Sequence, residues 1–538
     1  MPFVSNDHDH PTGRRRAGLG RVCAAGAVGL VATGLALAAG EVTAALTGPG
    51  TSPVVAVGSA AIDLAPTWLK EYAVRSFGTH DKAVLLTGIY AVTALFAALV
   101  GLIALRRPAV GAAVTALFGA LGVWAAASRP TARAADALPS VAAGLADAAA
   151  LWFLSRSLRR ATGRAPDTPT DRTGPPDAAA AGPPRRTVVV ATGAGAAVAV
   201  LGTAGGRRLA DSRNDVGAAR AAVRLPAPAV PARPRPAGVH PAVPGLTPFV
   251  TPTGDFYRVD TALTLPAIDP RDWSLRIHGL VDHPVVLSFE DLLRQPLEEL
   301  DLTLSCVSNE VGGRYAGTAR WLGAPLPALL RRAGVRPGAD QLVGRSRDGM
   351  TIGTPLESVL DGRRALLAVA MNGEPLPVAH GFPCRSLVPG LYGYTSATKW
   401  LVELEVTRFA AFDPYWVRRG WDRTGEVRTA SRIEVPAPFA RVPAGDVDLA
   451  GTAWATHRGV AAVEVRVDGG AWQQAALAAD GGPDLWRQWS HTWRGAAPGT
   501  HRIEVRATDA GGRTQPETRR PPFPSGSTGW HSTVVTVF

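Results

Sequence analysis

The stretch MNGEPLPVAHGFPCRSLVPGLYGYTSATKWLVEL, residues 371–404, decides how the rest of this chain is interpreted. It gathers an imidazole, a guanidinium and an ammonium group on one contiguous segment, at His380, Arg385 and Lys399. Lys399 is the only lysine after residue 82. Cationic donors grouped in this way suit an anionic or polar ligand. The segment therefore predicts a binding site in the second half of the chain.

A second candidate lies upstream, in LTLSCVSNEVGG at 302–313. Cys306 ends an apolar strand and is followed by a polar loop with glycines, where backbone can approach a ligand closely. A cysteine in this position suits a thiolate metal ligand or nucleophile, but a buried structural cysteine has the same local pattern. On these residues alone both interpretations remain open.

Together these segments resemble the sulfite oxidase family of molybdenum enzymes. The resemblance is carried by N-G-x-P-L-P, H-G-F-P-x-R-x-x-V-P-G and K-W within 371–404, by TPTGDFYRVDTALTLP at 251–266, and by the cysteine segment. It continues to the terminal GWHSTVVTVF and covers 246–538. The resemblance implies a molybdopterin-dependent oxidoreductase.

The resemblance also implies site residues. One molybdenum would be held by one pterin dithiolene, with Cys306 as the protein ligand, and Cys306 and Arg385 would be the catalytic residues. Cys384 is interpreted as core packing, because that position is variable and apolar in the family. The positions matched to contacts with the pterin and its phosphate are Tyr257, Arg258, Asp260, Thr261, Asp348, His380, Arg385, Ala397, Thr398 and Lys399.

The sequence departs from the family's sulfite-binding pattern. Where members carry cations after the cysteine, in a C-x-G-N-R-R run, this chain has Glu310 and Val311, and Ile352 stands near the position of the active-site tyrosine. The predicted substrate is therefore a small oxo-anion or S-oxide. One alternative is a protein or small-molecule S-oxide reductase using the same centre. An alternative from another class is a cofactor-free, membrane-tethered binding or scaffold protein.

Residues 1–205 have the composition of a membrane region, with a polar linker at 161–184. Arginine clusters before the first apolar run, between the second and third and after the fourth predict cytoplasmic loops, which puts everything after residue 205 outside. The runs predict about five transmembrane helices, near 18–39, 83–105, 109–127, 137–154 and 187–204.

The role of the membrane region stays open at this stage. No histidine lies in any predicted span, so a haem cytochrome is not predicted. A passive anchor and a quinone or partner docking site both remain. Arg185 and Arg186, just before the last run, resemble a twin-arginine export signal, and an ordinary positive-inside flank explains them equally well.

The predicted fold has three parts. An α-helical transmembrane region is followed by a disordered, proline-rich tether at 206–245 and an α+β sulfite-oxidase-type molybdopterin domain at 246–412. Short alternating strands ended by glycines at 430–538 predict an all-β, immunoglobulin-like sandwich. That last part resembles the family's dimerisation domain, which implies a possible homodimer.

Charge and motif content narrow the partners. The net charge of +12 comes from scattered basic residues, so nucleic acid is not predicted as a partner. No haem motif, flavin fingerprint or iron–sulfur cysteine set appears, so electrons are expected to pass to or from an unidentified cytochrome or quinone-linked partner. The sequence predicts a multi-pass protein of the cytoplasmic membrane, embedded in lipid, with its catalytic domain on the outer face.

Overall fold

The computed structural model describes residues 12–77, 81–162 and 185–538. The chain forms two compact units. The first, called here the helical unit, comprises Met1–Asp215 with the short segment Thr261–Thr264. The second, called here the catalytic unit, comprises Val216–Asp260 with Leu265–Phe538.

The helical unit is built from long apolar helices. Its α-helices are α1 Thr12–Thr47, α2 Pro53–Leu64, α3 Thr67–Phe77, α4 Asp81–Arg106, α5 Pro108–Ala127, α6 Leu138–Thr162 and α7 Arg185–Arg213. Within the described residues, five helical stretches are long and apolar enough to cross a membrane, in agreement with the five predicted runs. They are Gly20–Thr47, Lys82–Arg106, Pro108–Ala127, Ala134–Arg160 and Val189–Ala222.

Helix α1 packs against α4, α6 and α7. Small residues allow the close approach: a methyl group added to Gly29 would collide with the Ala97 carbonyl of α4, and one added to Gly101 would collide with the Ala25 carbonyl. Without a hydrophobic driving force in lipid, such small-residue contacts are the usual way helices associate.

The first part of the catalytic unit, up to residue 407, contains two mixed or antiparallel sheets. Their orders are β2-β1-β10-β5-β6 and β3-β4-β7-β8, with β9 paired to β7. The elements are α8 Gly217–Ala222, β1 Ser274–Gly279, β2 Val285–Ser288, α9 Phe289–Leu293, β3 Glu298–Ser305, β4 Ala316–Pro325, α10 Leu326–Ala333, β5 Gln341–Ser346, β6 Thr351–Pro355, α11 Leu356–Leu360, β7 Leu366–Met371, β8 Glu374–Pro375, β9 Arg385–Leu387, α12 Gly393–Ser396 and β10 Leu401–Thr407.

Local sequence signals explain several of these boundaries. The Ser288 hydroxyl accepts a hydrogen bond from the Asp291 amide at 3.1 Å and so caps the start of α9. Strand β3 ends at Ser305, so Cys306 stands at the strand end as predicted. Leu302, Leu304 and their neighbours point into a core shared with β4 and β7.

The remainder of the catalytic unit is all β. Two sheets, β11-β13-β17-β16 and β12-β19-β18-β14-β15, share one hydrophobic core that includes Leu449, Trp489 and Val505. The strands are β11 Ala430–Val435, β12 Arg441–Val442, β13 Gly445–Trp454, β14 Val460–Val467, β15 Gln473–Gln474, β16 Ala476–Leu477, β17 Arg487–Ala496, β18 Gly499–Asp509 and β19 His531–Val537.

These two parts of the catalytic unit are joined by buried contacts. Trp486 donates from its backbone to the Thr303 hydroxyl at 2.8 Å and from its indole to the Phe249 carbonyl at 2.9 Å. Phe249, Val307 and Trp486 belong to one shared core cluster. The regions 246–412 and 430–538 are therefore parts of one compact unit.

The predicted disordered tether at 206–245 is wrong for most of its length. Its first residues complete α7, which ends at Arg213, and Gly217–Ala222 forms α8. The remainder pairs with the catalytic unit: Val230 forms a parallel bridge with Glu298, and Arg235 donates to Asp301 at 2.7 Å. Proline prevents regular helix but leaves carbonyl groups free to pair along a sheet edge. Residues 163–184 of the predicted linker lie outside the described residues.

Candidate active site

Cys306 occupies a tight loop between β3 and β4. Its backbone amide donates to the Tyr315 carbonyl at 2.9 Å, and its carbonyl accepts from the Asn309 amide at 3.1 Å. The Cys306 Sγ lies 2.9 Å from the Ser308 hydroxyl oxygen. Burial raises the pKa of the Cys306 thiol, while the hydrogen bonds from Ser308 and the charge of Lys399 oppose that rise. The loop thus fixes a buried thiol beside a hydroxyl group and a cation that partly offset the effect of burial on its pKa.

Arg385 begins β9 in the sheet that also carries β3 and β4. Its side chain is buried, with 6% of the residue exposed, and Nη1 donates to the His380 carbonyl at 3.1 Å. The guanidinium carbon lies 5.2 Å from the ring centroid of Trp321, on β4. Burial lowers the pKa of Arg385 to about 10. Arg385 Nε is buried and has no hydrogen-bond partner among the described residues.

Tyr257 lies close enough to Cys306 and Arg385 for the charge of each to shift the pKa of its phenol. Burial raises the pKa of its phenol, the Cys306 thiolate charge raises it further, and the Arg385 charge lowers it. Its ring centroid lies 6.2 Å from that of Tyr315, at the return of the Cys306 loop. The predicted residues Tyr257, Cys306 and Arg385 are therefore brought into one neighbourhood, although they are far apart in sequence.

A charged network lies beside this neighbourhood. Lys399 Nζ donates to Asp260 Oδ2 at 2.7 Å, and the same oxygen accepts from Arg258 Nε at 2.8 Å. Burial lowers the pKa of Lys399 to about 8, although Asp260 opposes the shift. Burial, followed by the charges of Arg385 and Lys399, lowers the pKa of His380 to about 4. His380 is consequently neutral at neutral pH and hydrogen-bonds without charge.

The loop after α12 carries two more predicted residues. The Thr398 amide donates to the Ser386 hydroxyl at 2.9 Å, and the Ser386 amide donates back to the Thr398 carbonyl at 3.0 Å. The Thr398 hydroxyl lies close to Gly344 of β5 and has no partner among the described residues. Ala397 is buried in the core beside β3 and β4. This loop leads directly into Lys399.

Asp348 and Thr261 are two further predicted contacts. Asp348 accepts from the Met350 amide at 3.2 Å and so stabilises the turn between β5 and β6. That turn is adjacent to the group, because the Arg347 amide donates to the Trp400 carbonyl at 2.9 Å. Thr261 belongs to the helical unit. Thr261 directly follows Asp260, which accepts from Lys399 Nζ at 2.7 Å, and its contact with the pterin stays a prediction.

Three residues of the site were missed from the sequence. Trp321 supplies the ring against Arg385, Tyr315 holds the Cys306 backbone, and Ser308 contacts the thiol. Trp321 reaches the site only because β3 and β4 pair, with Leu300 opposite Trp321. Ser308 carried a local signal, because it lies two residues after the cysteine. Cys384 is fully buried, as expected for core packing.

The residues present fit an anionic pterin cofactor. Arg258, Arg385 and Lys399 supply three cations against the carboxylate of Asp260, and the Nε donor of Arg385 is open. A buried cationic donor without a partner is costly unless an acceptor occupies the space beside it. Within the described residues no group of three or more His, Cys, Asp or Glu side chains could hold a metal ion. A metal bound at Cys306 would therefore take its other ligands from the cofactor.

The loop after Cys306 borders a pocket. Glu310 and Val311 line a small cavity of about 10 Å³, together with Tyr392, Ser431 and Gln515. Cys306 is not among its lining residues, although the preceding Ser305 is. Ile352 is buried within β6. The acidic and apolar replacements predicted from the sequence therefore face a pocket between the two parts of the catalytic unit.

Comparison with known proteins gives consistent matches. Residues 262–416 match the family model described as oxidoreductase molybdopterin binding domain. The chain is 36% identical over 162 residues to the uncharacterized oxidoreductase YuiH of Bacillus subtilis (strain 168), covering 29% of this chain and 76% of that protein. It is 30% identical over 339 residues to sulfite oxidase of Gallus gallus, covering 53% of this chain and 72% of that protein.

A mammalian relative matches over a smaller share of its length. The chain is 33% identical over 274 residues to mitochondrial sulfite oxidase of Mus musculus, covering 43% of this chain and 49% of that protein. The chain therefore spans about half the length of the mouse protein it matches.

Proposed function

The chain belongs to the sulfite oxidase family of molybdopterin oxidoreductases, and from that premise we propose that it is a membrane-anchored enzyme that transfers an oxygen atom to or from a small oxo-anion or S-oxide. The observation that carries this proposal is the buried Arg385, whose Nε is open, in a group with more cations than carboxylates. That arrangement supports an anionic cofactor beside the Cys306 thiol.

Each residue has a defined part in the proposal. Cys306 is the protein ligand to molybdenum, and Arg385 donates to the cofactor from its open Nε. The phosphate group of the pterin binds to Lys399, which Asp260 positions, and to the backbone of Ala397 and Thr398. The molybdenum–pterin group supplies oxygen-atom transfer and two-electron redox chemistry when it is bound.

The chain's own groups set the local charge. His380 stays neutral at neutral pH, so it offers a hydrogen bond to the pterin without adding charge. Tyr257 keeps its phenolic proton, because burial raises its pKa, and therefore acts as a donor near Cys306. The burial of Arg385 and His380 excludes water and strengthens these interactions.

A second candidate, the reduction of an S-oxide by the same centre, is favoured by the loop after Cys306. Glu310 and Val311 line the adjacent pocket where a sulfite-binding member carries cations. A carboxylate there repels a dianion and leaves a neutral S-oxide unaffected. This favours a neutral substrate over sulfite.

The placement of the protein follows from the helices and the charges at their ends. Five apolar stretches support a multi-pass anchor in the cytoplasmic membrane. The arginine-rich loops support a position of the catalytic unit on the outer face. An unidentified cytochrome or quinone-linked partner exchanges electrons with it. The two C-terminal sheets support an immunoglobulin-like sandwich that joins two copies in a homodimer.

The test is cofactor analysis of the purified full-length chain, followed by a substrate panel. We expect one molybdenum and one pterin dithiolene per chain, and turnover with an artificial redox dye on small oxo-anions or S-oxides. Running each substrate in both directions separates the oxidase from the reductase. A chain that contains neither molybdenum nor pterin after expression with cofactor supply contradicts the enzyme and supports the cofactor-free scaffold.

A further inference from the structure

An ionisable residue lies in the middle of the fourth apolar stretch. Asp147 is on α6, in the stretch Ala134–Arg160, thirteen residues from either end (134 to 147 and 147 to 160). Thr33, in the middle of α1, donates from its hydroxyl to Asp147 Oδ1 at 3.4 Å. We propose that Asp147, hydrogen-bonded by Thr33, is a proton-binding carboxylic acid in the interior of the helical unit.

Among the described residues, the helices that pack against α6 carry no basic side chain at the depth of Asp147. Its helix, α6, contacts α1, α2, α4, α5 and α7. The segments 22–40, 83–105, 108–127 and 187–206 of the four long helices contain no Asp, Glu, Lys, Arg or His. Their titratable side chains are Cys23 and Tyr90, toward opposite ends of the spans. Asp63, in the last turn of α2, and Asp136, before α6, are acidic as well.

A second carboxylate in the same unit shows the contrast. Glu41 of α1 accepts from the Ser52 hydroxyl at 2.9 Å and lies 3.6 Å from Arg207 Nη2 of α7. Arg207 also donates to the Tyr90 hydroxyl of α4. By the loop charges, Glu41, Tyr90 and Arg207 all lie toward the outer end of their helices. Glu41 is therefore an ion-paired carboxylate.

The two environments lead to different charge states. An ionised aspartate at the centre of a bilayer carries a large desolvation cost. One neutral hydroxyl donor does not offset that cost, since a single hydrogen bond from a neutral group contributes much less free energy. Asp147 therefore retains its proton, whereas the guanidinium beside Glu41 stabilises the anion. Asp147 can then exchange a proton within the membrane, a role that a passive anchor does not require.

This inference rests on the proposed membrane placement. The test uses the full-length chain in native membranes, treated near neutral pH with dicyclohexylcarbodiimide, an apolar reagent that reacts with protonated carboxyl groups. Peptide mass spectrometry is expected to find the adduct on Asp147 and none on Glu41. The variant Asp147→Asn should lose the adduct, Asp147→Glu should keep it, and Asp147→Asn should leave dye-linked turnover of the catalytic unit unchanged.

A second measurement keeps the outcome decisive. Infrared spectra of the membranes should show the carbonyl band of a protonated carboxylic acid that disappears in Asp147→Asn. Chain recovered in the membrane fraction with neither adduct nor band at Asp147 overturns the inference while leaving the anchor intact. Chain recovered in the soluble fraction contradicts the membrane placement itself, and the inference with it.

Discussion

The surroundings of Cys306 and of Cys384 differ, although burial raises the pKa of both thiols. Around Cys306, the Ser308 hydroxyl at 2.9 Å and the charge of Lys399 oppose the rise. Around Cys384, burial is the whole cause of the shift. Desolvation therefore does not make a thiol a metal ligand. Polar groups that stabilise the thiolate distinguish the site from the core.

Cys384 and Arg385 are adjacent in sequence, yet one belongs to the core and the other to the site. Successive side chains along extended backbone point to opposite faces. Cys384 is fully buried, whereas the Arg385 side chain stacks on Trp321 and keeps Nε open. Within the segment 371–404, neighbouring residues therefore have different roles: Cys384 fills the core, and Arg385 belongs to the site.

The largest expected effect tests this comparison directly. Cys306→Ser should lower the molybdenum content by more than about tenfold. Substitution of a residue that only hydrogen-bonds to a metal ligand already lowers metal affinity by about 10–100-fold, and Cys306 is the ligand itself. Cys384→Ala should retain molybdenum, because its thiol only fills space. Inductively coupled plasma mass spectrometry on both purified chains measures the difference. Equal molybdenum content in the two variants would show that Cys306 is not the ligand.

The next effect concerns the open donor of Arg385. Arg385→Met should reduce pterin content by roughly ten- to a hundredfold, because it removes charge-assisted hydrogen bonds worth about 1.5–3 kcal/mol. Arg271→Met is the matched control, since Arg271 is exposed and pairs only locally with Asp269 at 2.6 Å. Fluorescence of the oxidised pterin after release reports occupancy. Undiminished pterin in Arg385→Met would remove Arg385 from the cofactor site.

A pH effect follows from His380. Its pKa of about 4 in the folded chain lies below the ordinary 6.5, so the unfolded state binds more protons between those values. Stability should fall by at most about 3 kcal/mol as pH falls from about 6.5 to about 4. His380→Gln should remove that part of the decline, and His283→Gln, at an exposed position, should not.

The measurement for His380 is urea unfolding of the cofactor-free chain, followed by tryptophan fluorescence at about pH 7 and about pH 5. The loss of stability between the two pH values should be smaller in His380→Gln than in the parent chain. A loss equal to that of the parent would mean that His380 is not held neutral by its surroundings.

The smallest expected effect concerns Ser308. In a cofactor-free chain with Cys23→Ser and Cys384→Ala, Cys306 is the sole thiol. Adding Ser308→Ala removes a hydrogen bond that lowers the thiol pKa, so alkylation near neutral pH should slow by roughly threefold. Ser288→Ala, which changes the remote cap of α9, is the control. An unchanged pH profile would assign Ser308 a purely structural role.

Much of both units could be predicted because their signals are local. The strand before Cys306, the Ser288 cap and the five apolar runs each depend on neighbouring residues. Trp321 could not be predicted as a site residue, since strand pairing brings it there.

Asp147 had a sequence signal that pointed to function. An acidic residue within an apolar span is a functional candidate by default. The prediction of a disordered tether at 206–245 was wrong for a different reason. The proline-rich composition predicts disorder, but the backbone carbonyl and amide groups pair with a strand whose position no local sequence pattern reveals.

That pairing bears on where the catalytic unit begins. Strand β3 is at the edge of its sheet, and the Glu299 amide donates to the Val230 carbonyl at 2.8 Å while the Ala229 amide donates to the Leu297 carbonyl at 2.8 Å. Cleavage after this segment would uncover the strand that ends at Cys306 and leave an open edge able to pair with other chains. A soluble fragment should therefore start at Val216, since one starting at 246 would be prone to aggregate.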